Sequence, residues 1–291
     1  MKRREFITFV VGASAWLFPW MRPARAQDPV PADQTAAAQI GQVATLQGNA
    51  TVTRANAATA IALRVNDPVF KNDTLATAVN STLGITFDDQ TTFSLSANTR
   101  IVVNEFVYAE GGAANAASFN VVAGTAAFVA ALVAKTGTMK ITTPVATLGI
   151  RGTTGVIDVP EPGGTAAPGG AADEPRVKLY ADADGYVGRI EVFNQQGGSL
   201  GTLTQAASAF AFRPGPGGRF EVVPYQIPPQ EVARDRGVLR RLFASHNIGR
   251  RKTIDRLRRT HQQRNNPRRS GPSRDRNPRS PGRGRGRNQR N

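Results

Sequence analysis

Between residues 40 and 223 the hydrophobic and polar positions alternate in short runs. Leu83, Ile85 and Phe87 share one face, with Gly84 and Thr86 between them. Asp88-Asp89-Gln90 turns the chain, and Phe93 and Leu95 answer on one face of the next run. Strict period-two alternation marks half-buried strands. The same texture appears in 40–46, 50–54, 69–70 and 74–76. It continues at Ile101 and Val103, at Phe106 and Tyr108, and in 156–159, 176–180, 188–193, 199–203, 210–212 and 220–223. Strand-sized runs recurring about every 8–12 residues predict an all-β sandwich, barrel or solenoid. Asn194-Gln195-Gln196-Gly197-Gly198 reads as a hairpin turn. Residues 126–133 are Ala-rich, a helix-forming composition, but the run is brief and its surroundings favour a strand or short turn. After Pro228-Pro229 the period changes. Val232, Leu239, Leu242 and Phe243 have helical spacing over 230–245, and Ile254 and Leu257 mark a second, weaker helix over 252–264. From residue 265 the chain is Arg, Pro, Gly, Ser and Asn, with nothing apolar to bury, and is expected to be disordered.

The first residues read as an address. Lys2, Arg3 and Arg4 precede an apolar stretch over 6–21, and Ala24-Arg25-Ala26 gives a small-x-small end. This pattern predicts a secretory signal peptide over 1–26, cleaved between Ala26 and Gln27. The apolar stretch falls short of the ~20 residues a membrane span needs, and no later run is long and apolar enough, so the mature chain is expected to have no span. Arg3-Arg4-x-Phe6-Ile7 also resembles a twin-arginine signal, and the twin-arginine and general secretory routes both remain open. A periplasmic or secreted protein is expected.

Charge changes the picture by its distribution. The 291 residues carry 37 Lys+Arg against 21 Asp+Glu, a net +16. Residues 1–26 are net +4, residues 27–233 have 12 basic and 17 acidic residues for −5, and residues 234–291 have 20 basic and three acidic for +17. A mildly acidic middle thus precedes a strongly basic end. There is no cysteine, and the two histidines, His246 and His261, both lie in the basic region. No nucleophile–base set is available, so no catalytic residue, cofactor site or metal site is assigned and the chain is read as a non-enzyme.

A resemblance now emerges. Ile40-Gly41-x-Val43-x-x-Leu46-x-Gly48, then Val65-x-Asp67-x-Val69-Phe70-x-x-Asp73-x-Leu75-x-Thr77, then Leu83-x-Ile85-x-Phe87-x-Asp89-x-Thr91-x-Phe93-x-Leu95 appear in order. Asn104-Glu105-Phe106-Val107-Tyr108 follows, and Thr143-Pro144-x-Ala146-Thr147-x-Gly149-Ile150-Arg151-Gly152-Thr153 is the most specific stretch. Together they resemble the FecR domain, first named for a ferric-citrate signalling regulator. The resemblance implies a twisted all-β, solenoid-like or sandwich-like binding domain, here with a short helical segment and a disordered basic C-terminal tail. Gln90 stands where the family usually has Gly, which weakens the tight-turn reading there. A signal peptide stands where the regulators carry a cytoplasmic anti-sigma region, so the sigma-factor function is not carried over. The expected organisation is a linker over 27–39, a FecR-like β domain over 40–159 and a Gly/Pro loop over 160–175. A β extension of the same unit over 176–228, a basic helical segment over 229–264 and a tail over 265–291 complete it.

Few residues carry candidate chemistry. Arg151, between glycines, could recognise a carboxylate or phosphate; the structural alternative, a pairing with Asp89 or Glu105 that pins strands, is favoured. Asp182-Ala183-Asp184-Gly185 lacks the acid an EF-hand needs at position 12, where Phe193 stands, and reads as a turn. In the basic end Arg outnumbers Lys 19 to 1. Arg283, Arg285 and Arg287, in an Arg-Gly repeat without aromatics, suggest sequence-independent polyanion binding rather than base readout. The leading expectation is a cell-envelope binding or scaffold protein, contacting an envelope protein or glycan through its β domain and an anionic surface through residues 234–291. The alternative is a periplasmic module relaying an outer-membrane receptor state.

Overall fold

A computed structural model describes residues 38–161 and 174–265. The signal segment with Arg3, Arg4, Ala26 and Gln27, most of the linker and of the Gly/Pro loop, and the tail with Arg283, Arg285 and Arg287 lie outside the described residues. The chain runs β1 (Gln39–Gln47), β2 (Ala50–Thr53), β3 (Ile61–Ala62), β4 (Pro68–Phe70), β5 (Thr74–Thr77), β6 (Thr82–Phe87), β7 (Thr92–Leu95) and β8 (Arg100–Val107). The long β9 (Ala116–Val129) and the single-turn α1 (Leu132–Thr136) follow. Then come β10 (Thr138–Thr142), β11 (Thr147–Arg151), β12 (Thr154–Val159), β13 (Arg176–Tyr180), β14 (Arg189–Phe193), β15 (Ser199–Leu203), β16 (Ser208–Pro214) and β17 (Phe220–Pro224). The described residues end in α2 (Pro229–Asn265).

The strands form two open sheets joined by one strand. The first sheet runs β4-β1-β6-β7-β9-β12-β13-β16-β17, antiparallel throughout. The second runs β3-β2-β5-β8-β9-β10-β11-β14-β15, antiparallel except for the parallel β9–β10 pair. Residues 116–123 of β9 belong to the second sheet and 124–129 to the first. The crossover is at Gly124, with φ +91°, where a Cβ would collide with Thr99. The inward faces of both sheets meet in one core. Its centre is aromatic: Phe119 lies 5.0 Å from Phe87 and 4.7 Å from Phe93, centroid to centroid. The sandwich-like form of the expected all-β fold is therefore the one adopted.

Turn chemistry follows the residues available. Asn66, Asn72, Asn80 and Asn98 take positive φ, the conformation Asn tolerates best after Gly. Gln90 also adopts φ +72°, so the turn forms without the glycine. The Asp89 carboxylate holds it instead, accepting from the Thr91 N–H at 2.8 Å and the Thr91 hydroxyl at 2.6 Å. Its second oxygen also accepts the Val133 N–H at the start of α1. Asp182–Gly185 is a turn, with Gly185 at φ +87°. Residues 126–129 of the Ala-rich run finish β9, and a short turn of helix follows.

Helix α2 departs from expectation. It is one helix of 37 residues where the hydrophobic spacing suggests two. Glu231, Asp235, Val238, Leu242, Ser245, Gly249 and Thr253 are buried at steps of three or four, a single stripe that lies along the outer face of the first sheet from β13 to β1. Only Val238 and Leu242 are fully buried apolar side chains, packed on Ala127, Val129 and Val156, with Leu239 and Phe243 partly buried beside them. The rest of the stripe is small or polar, so a hydrophobic period does not reveal it.

Candidate functional site

Over β1, β6 and β7 the outer face of the first sheet carries small polar residues rather than apolar ones, and α2 sits close upon them. Thr45 and Ser245 hydroxyls are 2.6 Å apart, and Thr92 Oγ1 lies 3.1 Å from His246 Nδ1. A Cβ on Gly249 would collide with Thr86, and one on Gly84 with Thr45 and Ser245. Glycine in a helix interior costs about 1 kcal/mol relative to alanine; at 249 it permits the backbone to reach the sheet.

At the other end of the helix the interface is ionic. Lys178 on β13 is 0% exposed, and its Nζ lies 2.7 Å from Asp158 Oδ2, Glu231 Oε1 and Asp235 Oδ2. Each of its three N–H donors thus has a carboxylate. Arg234 reaches the same three acids, and Arg176 bonds Glu231 at 3.3 Å. Thr125 donates to Asp158 at 2.6 Å, while Tyr180 donates to Asp235 and Tyr225 to Glu231, both at 2.7 Å. Three cations face three carboxylates, so the cluster is neutral as a whole. Burial pushes the Lys178 ammonium down, but Asp158 and Asp235 more than reverse this and raise its pKa. Burial pushes Glu231 up, and the bonds from Lys178 and Tyr225 override it and lower its pKa. Burial and the Asp235 bond raise Tyr180. A lysine held so firmly protonated is neither base nor nucleophile; the cluster fastens α2 to β12 and β13. Among the described residues no group of three or more His, Cys, Asp or Glu is arranged to hold a metal ion, and no helix is long and apolar enough to cross a membrane.

With one face fastened, α2 turns the other to solvent. Arg236, Arg240, Arg251 and Arg258 are exposed opposite the buried stripe and Arg241, Arg250 and Arg259 on its flanks, with Asp255 as the one exposed acid among the described residues of the helix. Leu239, Leu242 and Phe243 are spent on packing against the sheet. Residues 229–265 are therefore not a flexible basic chain: Arg234 and Arg256 bond to acids of the sheet, and Lys252 bonds to Asn66 and Ala44.

Arg151 closes β11 with its side chain 42% exposed. It donates to the Gly137 carbonyl at 3.2 Å and lies 3.9 Å from Glu191. Its partner on the neighbouring β14 is Glu191, not Asp89, which is occupied by Thr91 and Val133, nor Glu105. No sequence signal singles out Lys178 by itself. The available hint is Glu231 and Asp235, two acids four apart on the same helix face as Val238 and Leu242, which require a buried cation.

Residues 73–167 match the family model described as FecR protein, which starts later in the chain than the resemblance at 40–159 does. Two crystal structures of a proposed anti-sigma factor from Parabacteroides distasonis ATCC 8503, at 2.50 and 1.65 Å resolution, are similar at TM-scores of 0.38 and 0.37. Each is 12% identical, over 55% of this chain and 62% of that one, so the chain spans less than two thirds of the length of these proteins. No curated protein matches the chain.

Proposed function

We propose, for a chain that carries a FecR segment at residues 73–167, that it is an exported, non-enzymatic scaffold of the cell envelope. Its β sandwich contacts an envelope protein or glycan, and α2, continued by the basic residues after it, holds the protein to an anionic surface. The observation that carries this reading is the set of seven exposed arginines on a helix fixed to the sheet along one stripe, with Arg236, Arg240, Arg251 and Arg258 in a row opposite that stripe. A rigid row of guanidinium groups meets phosphate oxygens without ordering a flexible chain first, and each charge near an anionic membrane contributes ~1 kcal/mol. The test is binding of the full chain to phosphatidylglycerol vesicles at two salt concentrations. The variant Arg236→Gln/Arg240→Gln/Arg251→Gln/Arg258→Gln should lose at least ~tenfold in affinity, and binding should weaken with salt. Unchanged affinity in the variant, or indifference to salt, would overturn the reading. The FecR match favours a second reading, a periplasmic signalling module. Recovery of an outer-membrane receptor, rather than glycan or structural protein, in a pull-down from envelope extract would select it.

A further inference from the structure

Where α2 passes over β1 it leaves a cleft of about 430 Å³ lined by Gln39, Gln42, Asn66, Lys252, Asp255, Arg256 and Arg259. That is the size of a small-molecule site. Its chemistry is unbalanced toward donors. Gln42 is 6% exposed, and its Nε2 is buried with no acceptor. Lys252 Nζ bonds Asn66 Oδ1 at 2.8 Å and the Ala44 carbonyl at 3.4 Å, which leaves one of its three N–H donors over. Arg259 is exposed at the rim. Arg256 is bonded to Asp88, so its charge is offset. Among the described residues Asp255 is the only carboxylate lining the cleft, against Lys252, Arg256 and Arg259. Buried donors without acceptors are rare in folded proteins, and each calls for an explanation.

We propose that this cleft binds a phosphorylated saccharide. A phosphate supplies the acceptor oxygens that Gln42, Lys252 and Arg259 lack, with charge-assisted bonds from the two cations. The cleft far exceeds one phosphate, and its remaining lining, Gln39, Asn66 and Asp255, offers amide and carboxylate groups suited to sugar hydroxyls. The site takes Arg259 from the flank of the exposed arginines and uses none of the other six.

Calorimetric titration of the full chain with glucose 1-phosphate, glucose and inorganic phosphate tests this. Glucose 1-phosphate is expected to bind with one-to-one stoichiometry and at least ~tenfold more tightly than either of the others. Arg259→Gln, an exposed position where folding is not at stake, should weaken it about tenfold, in line with the loss of one bond to a charged group. Gln42→Leu should also weaken it while leaving the melting temperature within a few degrees. Arg240→Gln/Arg251→Gln should leave it unchanged, although that variant weakens vesicle binding if the arginine row is the membrane contact. Glucose binding as well as glucose 1-phosphate would overturn the proposal, as would indifference to Arg259→Gln. Inorganic phosphate binding as tightly as the sugar phosphate would overturn the saccharide assignment. Loss of binding in Arg240→Gln/Arg251→Gln to the same extent as in Arg259→Gln would show diffuse attraction rather than a site.

Discussion

His246 shows how much one side chain can depend on the element that carries it. Burial pushes its pKa below the ordinary 6.5, and Arg250 pushes it further, against a bond with the Gln90 backbone that raises it. The folded chain therefore favours the neutral ring. The stability this residue contributes is complete above the ordinary value and is lost as pH falls through the depressed one. The melting temperature of the wild-type protein should exceed that of His246→Gln most at about pH 7.5, and the gap should narrow toward about pH 5.5. Thermal melts of both proteins across that range would contradict this if the two profiles ran parallel. The role of His246 was not legible in the sequence, because its partner Thr92 lies 154 residues away. Asp89 was more legible. Turn chemistry placed it at a bend, and a carboxylate two residues before a threonine can close that bend whether or not glycine follows.

At the scale of elements, strands were legible and the helix only in part, for one physical reason. Leu83, Ile85, Phe87, Phe93 and Leu95 announce the core face because apolar character there has period two, although the residues between them are buried as well. The buried stripe of α2 is largely acid, hydroxyl and glycine, so the apolar period marks only its middle, and Gly249 looks like a break. The ionic end of that stripe is also where α2 is most sensitive. Lys178→Met would leave Asp158, Glu231 and Asp235 buried with Arg234 and Arg176 as the remaining cations of the cluster. Removing one member of a buried charge group costs ~3–5 kcal/mol, because the others remain desolvated. Urea denaturation should show a loss of that size, and hydrogen exchange should quicken first in the N-terminal half of α2. A variant as stable as the wild type would mean that the cluster is dispensable to helix docking.

For the molecule as a whole, α2 is a third layer rather than an appendage. The core between the sheets is apolar and could form without it. The outer face of the first sheet could not remain as it is: Ala127, Val129 and Val156 would lose Val238 and Leu242, and Lys178 would lose two of its three carboxylates. A chain ending at residue 265 should melt cooperatively at the temperature of the full chain. One ending at residue 228 should melt at least ~10 °C lower or aggregate, since a few kcal/mol shifts the midpoint of a domain this size by roughly 2–4 °C each. Equal melting of the two would show that the helix rests on the sheet without supporting it.

The strand shared by both sheets sets the order in which this chain can fold. β9 pairs with β7 and β12 through one half and with β8 and β10 through the other. Until it is in place, each sheet is split into two blocks with bare edges at the gap, and the central phenylalanines have nothing to close over. Its last partner, β12, ends at residue 159, so more than half the chain must be synthesised before the seam can shut. The pairings of β9 join residues only 9 to 37 apart, so loop entropy is a small barrier and the wait for β12 to be made sets the delay. Unpaired edges exposed in that interval are templates for neighbouring chains. The period of greatest danger for this protein is thus early, before residue 159 has been made, when the edges that β9 and β12 will join are still open.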